Sequence, residues 1–340
     1  MKKIVVILLS LTALTLVGLF VALPQYNYRY QKIAQRRVEF KLYGGATIDT
    51  LSEILLSKGV LTSGDQLLHD YASHLDSRAL RVGNYVVEKD FSMRQILNTV
   101  TRGYQTPIQV TFNNVRTIEQ LAGRVSRYTL ADSLDFLTLF RCDSLLGALD
   151  MTTESLPSLF LPNTYEFYWT VTPLEFVDKM RQEHDNFWNE KRLAEAQKLG
   201  FTPLEIVTIG SIVSEETNHW DEMSDVAGVY INRLRVGMPL QADPTVKFAI
   251  GDFSIRRILN KHLSTPSPYN TYLNAGLPPG PIRIVDSRVI DKVLEYENHN
   301  YYYFCANADF SGSHVFAQSL SQHNRNAAAY HRALNSRGIR

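Results

Sequence analysis

Residues 202–217 read TPLEIVTIGSIVSEET. Thr202 and Glu205 have the spacing of a capping box, and Pro203 falls at the first helical position, so a helix starts here. Along that helix Ile209, Ile212 and Val213 share one stripe, and Glu216 continues it seven, four and three positions later. Glu215 points about 100° away. A carboxylate on an apolar stripe loses water, which raises its pKa toward the range of a general acid. A purely structural reading stays open beside this one: a buried glutamate neutralised by an arginine, with Arg233 and Arg235 as candidates.

The 340 residues give room for about two domains and a membrane anchor. A net charge of +1 offers no electrostatic case for nucleic acid. Met1-Lys2-Lys3 precedes a nearly continuous apolar run, residues 4–23, long enough to span a bilayer. It exceeds a signal-peptide core, and Val21-Ala22-Leu23-Pro24 is a poor cleavage site, so it reads as an uncleaved anchor rather than a cleaved signal. Lys2 and Lys3 favour a cytoplasmic N-terminus with the remainder outside, although Arg29, Lys32, Arg36 and Arg37 oppose this. Cys142 and Cys305 form no disulfide framework, and the nine histidines form no metal motif.

The expected architecture is α+β: an N-terminal transmembrane helix, a small module, then a mixed α+β catalytic domain. The divisions are 1–24 for tip and anchor, 25–37 for a linker, 38–107 for the module and 108–340 for the larger domain. Within the module, strands are expected at 38–43 and about 80–87, with helices at 47–58, 63–75 and 92–102. Beyond it come a strand at 108–112, a helix from Thr117, an extended aromatic piece at 161–168, and one long helix from Thr172 to about Leu199. Helices at 222–235, 284–297 and 321–334 and strands at 301–306 and 314–316 follow, with 239–281 read as functional loop.

Three loops crowd polar groups after the Glu216 helix. Gln241-Ala242-Asp243-Pro244-Thr245-Val246 offers an amide, a carboxylate and a hydroxyl in a Pro-fixed turn. Ser267-Pro268-Tyr269-Asn270-Thr271-Tyr272 adds more, and residues 276–282 (GLPPGPI) allow close backbone approach. His314, His323 and Asn324 come from the last elements. Amides, hydroxyls and tyrosines without clustered charge suit a neutral sugar, unless they merely cap turns.

These motifs, in this order, together with Ser211–Thr217, Val229-Tyr230-Ile231-Asn232-Arg233-Leu234, Gly237-Met238, Tyr301–Phe304, Gly312–Phe316 and His323-Asn324, resemble the endolytic murein transglycosylases of the YceG-like family. Residues 80–103 resemble, more weakly, the family's LysM-like module. The resemblance implies a periplasmic enzyme, anchored in the cytoplasmic membrane, that cuts peptidoglycan glycan strands internally and ends their elongation. It implies no cofactor and no metal, with peptidoglycan synthases as partners. It makes Glu216 the catalytic acid and assigns substrate contacts to Asn232, Gln241, Asp243, Thr245, Tyr269, Asn270, Thr271, His314, Asn324 and Tyr165. The family motif E-x-E-T has Ser214 in place of its first carboxylate. A Leu-Glu-Gly stretch usual in the family is Leu156-Pro157-Ser158 here, so that contact is absent or comes from Glu166. Two other readings are a hydrolytic muramidase using Asp243 as second carboxylate, and a non-catalytic peptidoglycan-binding scaffold.

Overall fold

The computed structural model describes residues 2–61, 79–255 and 257–337. The expected helix at 63–75 lies outside these. The described elements are α1 (Lys2–Tyr30), β1 (Val38–Leu42), α2 (Ile48–Ser57), β2 (Gly83–Val87), α3 (Met93–Arg102), β3 (Ile108–Phe112), α4 (Ile118–Val125), α5 (Ser133–Phe140), α6 (Asp143–Leu149) and β4 (Asn163–Phe167). Then come α7 (Pro173–Phe187), α8 (Glu190–Leu199), α9 (Pro203–Glu216), α10 (Met223–Arg235), α11 (Asp243–Ile250), α12 (Asn260–Leu263), α13 (Ser287–Leu294), β5 (Tyr303–Ala306), β6 (His314–Ala317) and α14 (Leu320–Ser336). The class is mixed α+β, with small two-stranded sheets β1-β2, β3-β4 and β5-β6.

The chain divides into two compact units. The first holds residues 1–110 with 128–130 and 166–171; the second holds the rest. In the first unit β1 and β2 pair antiparallel, from Val38 opposite Val87 to Leu42 opposite Gly83. Phe40, Leu42, Tyr85 and Val87 face Leu51, Leu55, Ile96, Leu97 and Val100 across one core. Two capping boxes fix the helix starts: Thr47 with Thr50, and Ser92 with Gln95. Within α1, Leu11, Leu14, Val17 and Phe20 are exposed. Among the described residues, no helix is long and apolar enough to cross a membrane, so the expected span at residues 4–23 is not carried by the structure.

The second unit is built around α9. Ile206, Ile209, Ile212 and Val213 pack with Val226, Ala227, Tyr230 and Ile231 of α10 and Val289, Ile290 and Val293 of α13. The capping box at Thr202 and Glu205 forms as the spacing requires. The expected long helix from Thr172 to Leu199 is two helices. Trp188 ends the first at ψ 58°, and Asn189 caps the second by accepting from the Arg192 amide at 3.1 Å. Side-chain capping there outcompetes helix continuation. The expected loop at 239–281 contains α11 and α12, because Pro244 sits in the first turn of a helix that Asp243 opens. The backbone approach expected of residues 276–282 occurs at Gly280, where any Cβ would overlap the Glu154 carbonyl. Cys142 and Cys305 are both free thiols.

Candidate active site

The C-terminal end of α9 presents two adjacent carboxylates to two different surroundings. Glu215 accepts from Arg116 at 3.0 Å and from Arg283 at 2.8 Å. All three side chains are largely buried, and Arg116 also lies over the Phe253 ring at 5.1 Å. Glu216 has no ion pair among the described residues. Its Oε1 accepts one short hydrogen bond, 2.6 Å, from the Tyr230 hydroxyl on α10. Burial pushes its carboxyl up to about 7, and the negative charges of Asp243 and Glu215 add to the rise. The Tyr230 hydrogen bond and Arg233 act in the opposite direction without cancelling it.

Glu216 opens into a cleft of about 310 Å³, lined also by Tyr230, Arg233, Gln241, Asp243, Tyr272, Tyr303, Phe304, Leu320 and His323. The arginine proposed as its neutralising partner is otherwise engaged. Arg233 donates from Nε to the Tyr302 carbonyl and from Nη1 to the Leu240 carbonyl, each at 2.6 Å, and lies over the Tyr303 ring. Burial lowers its pKa. Arg235 donates to the Tyr296 hydroxyl at 2.8 Å. Glu216 is thus a desolvated acid facing an open space, which is the arrangement that permits proton delivery to a bound oxygen.

Asp243 accepts from the Tyr272 hydroxyl at 2.7 Å, and burial with that bond raises the phenol's pKa. Gln241 enters the cleft from a backbone at φ 47°, a conformation that non-glycine residues rarely adopt. Its backbone N–H donates to the Thr271 carbonyl at 3.2 Å. His323 stacks on Tyr303 at 5.4 Å and 27°, with its Nδ1 buried and unpartnered. Burial, then Arg233, lowers its pKa. Both effects disfavour the charged imidazolium.

Of the residues expected to contact substrate, Gln241 and Asp243 join Glu216 in this cleft. The others have different surroundings. Asn232 donates to the carbonyls of His299 and Tyr301 at 2.7 and 3.1 Å. Thr245 and Thr271 are buried and bond each other at 2.9 Å. Asn270 is buried and ties the carbonyls of Leu263 and Thr265 at 2.9 Å each. These four brace the cleft-wall loops. Tyr269 packs on Phe248 at 4.7 Å and lines a separate hollow with Arg116 and Glu154. Its phenol is pushed up to about 12 by burial and Glu154. Asn324 lines another, with Ser321 and Arg325. His314 bonds Glu222 at 3.0 Å, and buried Tyr165 donates to the Leu161 carbonyl at 2.6 Å. Glu166 accepts from Gln109 at 2.7 Å. Among the described residues, no cluster of three or more histidine, cysteine or acidic side chains could hold a metal ion.

Tyr230, Tyr303 and Phe304 lie inside the motifs that carry the resemblance without being singled out as site residues, and Leu320 lies in none. Tyr230 lies 14 residues from Glu216 on another helix. The signal that could have found it is a tyrosine on an apolar helical face, a position that obliges its hydroxyl to find a partner.

The YceG-like family matches residues 40–329. A Bacillus subtilis (strain 168) protein named endolytic murein transglycosylase is 26% identical over 315 residues, covering 88% of this chain and 86% of that protein. A Streptococcus pneumoniae (strain D39) protein of the same name is 24% identical, and the match covers 84% of this chain and 57% of the pneumococcal one. The crystal structure of a YceG-like protein from Listeria monocytogenes superposes with a TM-score of 0.56 at 27% identity, covering 85% of this chain and 98% of that one. The segments that build the cleft, from α9 to the start of α14, all lie inside the matched region, and the chain belongs to the YceG-like family.

Proposed function

We propose that this protein is an endolytic peptidoglycan lytic transglycosylase, a lyase that cleaves the bond between N-acetylmuramic acid and N-acetylglucosamine. The observation that carries this reading is Glu216: a carboxyl held near pKa 7 by burial, with no ion pair among the described residues, on the wall of an open cleft. In its neutral form it gives its proton to the glycosidic oxygen as the bond from C1 to that oxygen breaks. The resulting carboxylate then takes the proton of the muramyl C6 hydroxyl while that oxygen bonds to C1. The product is a 1,6-anhydro end, the acid is regenerated and no water is consumed. One carboxyl in two successive roles suffices because the substrate supplies the nucleophile, whereas ordinary glycosidases use two carboxyls. The names of the Bacillus and Streptococcus relatives support the same reading.

A hydrolytic muramidase is the second reading, favoured by the presence of Asp243 in the same cleft. Mass spectrometry of products from uncrosslinked glycan separates the two, since an anhydro end is one water lighter than a reducing end. Reducing ends alone would sink the lyase reading. Loss of all cleavage in Glu216→Gln is expected, and full activity in that variant would remove Glu216 from the chemistry.

The same proposal places the catalytic unit outside the cytoplasmic membrane, with the exposed apolar side chains of α1 as its point of membrane attachment. Extraction of the full-length chain by carbonate, without detergent, would contradict this. The module at 38–107 is proposed as a LysM-like glycan-binding element, and termination of glycan elongation beside synthases as the cellular role. A scaffold without catalysis would bind glycan and leave its chain length unchanged.

A further inference from the structure

The hydrogen bond between Tyr230 and Glu216 has a direction that the surroundings fix. Tyr230 is 2% exposed, so bulk solvent has little access to its hydroxyl although the residue lines the cleft. Among the described residues that hydroxyl has one partner, Glu216 Oε1 at 2.6 Å. If a protonated Oε1 donated to the phenol, the phenolic proton would have no acceptor in a buried place. Leaving such a donor orphaned forfeits its hydrogen bond in a place where water can hardly replace it. Burial and the neighbouring carboxylate both raise the Tyr230 pKa well above its ordinary value, so the phenol keeps its proton. The phenol therefore donates to Oε1 in both charge states of the glutamate. Among the described residues the remaining oxygen, Oε2, has no hydrogen-bond partner, and it is not among the buried unpartnered atoms. It is the oxygen open to the cleft.

We infer that Tyr230 is a positioning residue that reserves Oε1 as a permanent acceptor and confines the Glu216 proton to Oε2. The inference rests on the proposed function and adds a geometric demand to it. One oxygen must both deliver the proton to the glycosidic oxygen and collect the proton of the C6 hydroxyl. Both substrate oxygens must then reach the same point in turn, from the same face of the sugar. A 1,6-anhydro bridge on the face that the leaving group has vacated satisfies this demand. The Tyr230 bond also keeps the carboxyl from rotating between the two proton transfers, and misplacement of a catalytic group by an ångström costs on the order of a hundredfold in rate.

The test is Tyr230→Phe, which keeps the ring that packs against Phe304 and removes only the hydroxyl. The expected result is a kcat about tenfold to a hundredfold lower at nearly unchanged KM. The alkaline limb of the pH profile should move upward, because a hydrogen bond to the charged form is lost. A Tyr230→Phe profile superimposable on wild type, with equal kcat, would overturn the inference. A folded-state measurement on wild type guards against a variant that does not fold. The infrared difference spectrum between wild type and Glu216→Gln at pH 5 isolates the neutral Glu216 carbonyl. A hydrogen-bonded, down-shifted band supports Oε1 as the carbonyl acceptor, and a band at the free-carbonyl position refutes it. If Glu216→Gln stays active, the proposed function fails whatever Tyr230→Phe does. If Glu216→Gln is dead and Tyr230→Phe is wild-type, the inference alone fails.

Discussion

Glu215 and Glu216 are neighbours in sequence and occupy opposite regimes of the same helix end. On the Glu215 side, two arginines close a partly buried ion cluster in which both oxygens are paired. On the Glu216 side one neutral phenol supports one oxygen, and the other faces a cleft. Turning about 100° around a helix moves a carboxylate from compensation to exposure at a low-dielectric wall. A carboxylate with both oxygens paired to arginines has none left for chemistry, and structure is what it can supply. An uncompensated one near pKa 7 can exchange a proton, and its burial is a cost the fold carries elsewhere.

Exchanging either carboxylate for its amide should break this contrast cleanly. The largest effect is on catalysis: Glu216→Gln should lower cleavage by on the order of 10³-fold, within the range of a general acid's contribution. Glu215→Gln should retain the anhydro product, because its side chain is not on the cleft wall. Equal loss in both variants, with both folded, would erase the distinction.

Stability should show the reverse ranking. Glu215→Gln leaves Arg116 and Arg283 without their shared counter-charge and should cost about 3 kcal/mol, read from urea unfolding at pH 7. A cost below about 1 kcal/mol would mean that the cluster is no more than a surface pair.

Glu216→Gln should instead stabilise the protein, and only at higher pH. The folded pKa near 7 lies above the ordinary 4.5. Between these values the folded state keeps a proton that the unfolded chain has released, so stability is full below about 4.5 and declines as pH rises to about 7. Glutamine has no such decline. The variant should exceed wild type by up to about 3 kcal/mol at pH 8, with the difference vanishing near pH 4.5. A pH-independent difference would place the Glu216 pKa near its ordinary value.

The smallest effect sharpens the contrast within the cleft. Asp243→Asn keeps an acceptor for the Tyr272 hydroxyl and removes one negative charge near Glu216. The lyase reading expects a loss of about tenfold or less, anhydro products still, and a slight downward move of the alkaline limb. Abolished cleavage would favour the muramidase reading.

The helical arrangement around α9 was legible because its signals are local. Thr202 with Glu205, Ser92 with Gln95 and Thr172 with Glu175 cap as their spacing requires. The break at Trp188 and Asn189 was not legible, since residues 174–199 contain no proline or glycine and only a capping asparagine marks the end. Helix α11 was hidden because an Asp-Pro pair opens helices and turns alike. Thr245 in α11 and Asn270 and Thr271 in the following loop carry the right chemistry for sugar binding, yet they spend it on each other and on backbone carbonyls.

By itself the sequence determined which of two glutamates lies on the apolar stripe, because helical periodicity is a property of neighbours along the chain. It also determined the family, through motif order. Only the tertiary structure decided that Arg233 bonds carbonyls rather than Glu216, that Tyr230 crosses from α10 to hold Oε1, and that Asp243 and His323 share the cleft. Those facts depend on how separate elements meet, as Tyr230 and Glu216 do from 14 residues apart. A buried polar group takes whichever partner packing brings within reach, and chain order does not encode that distance.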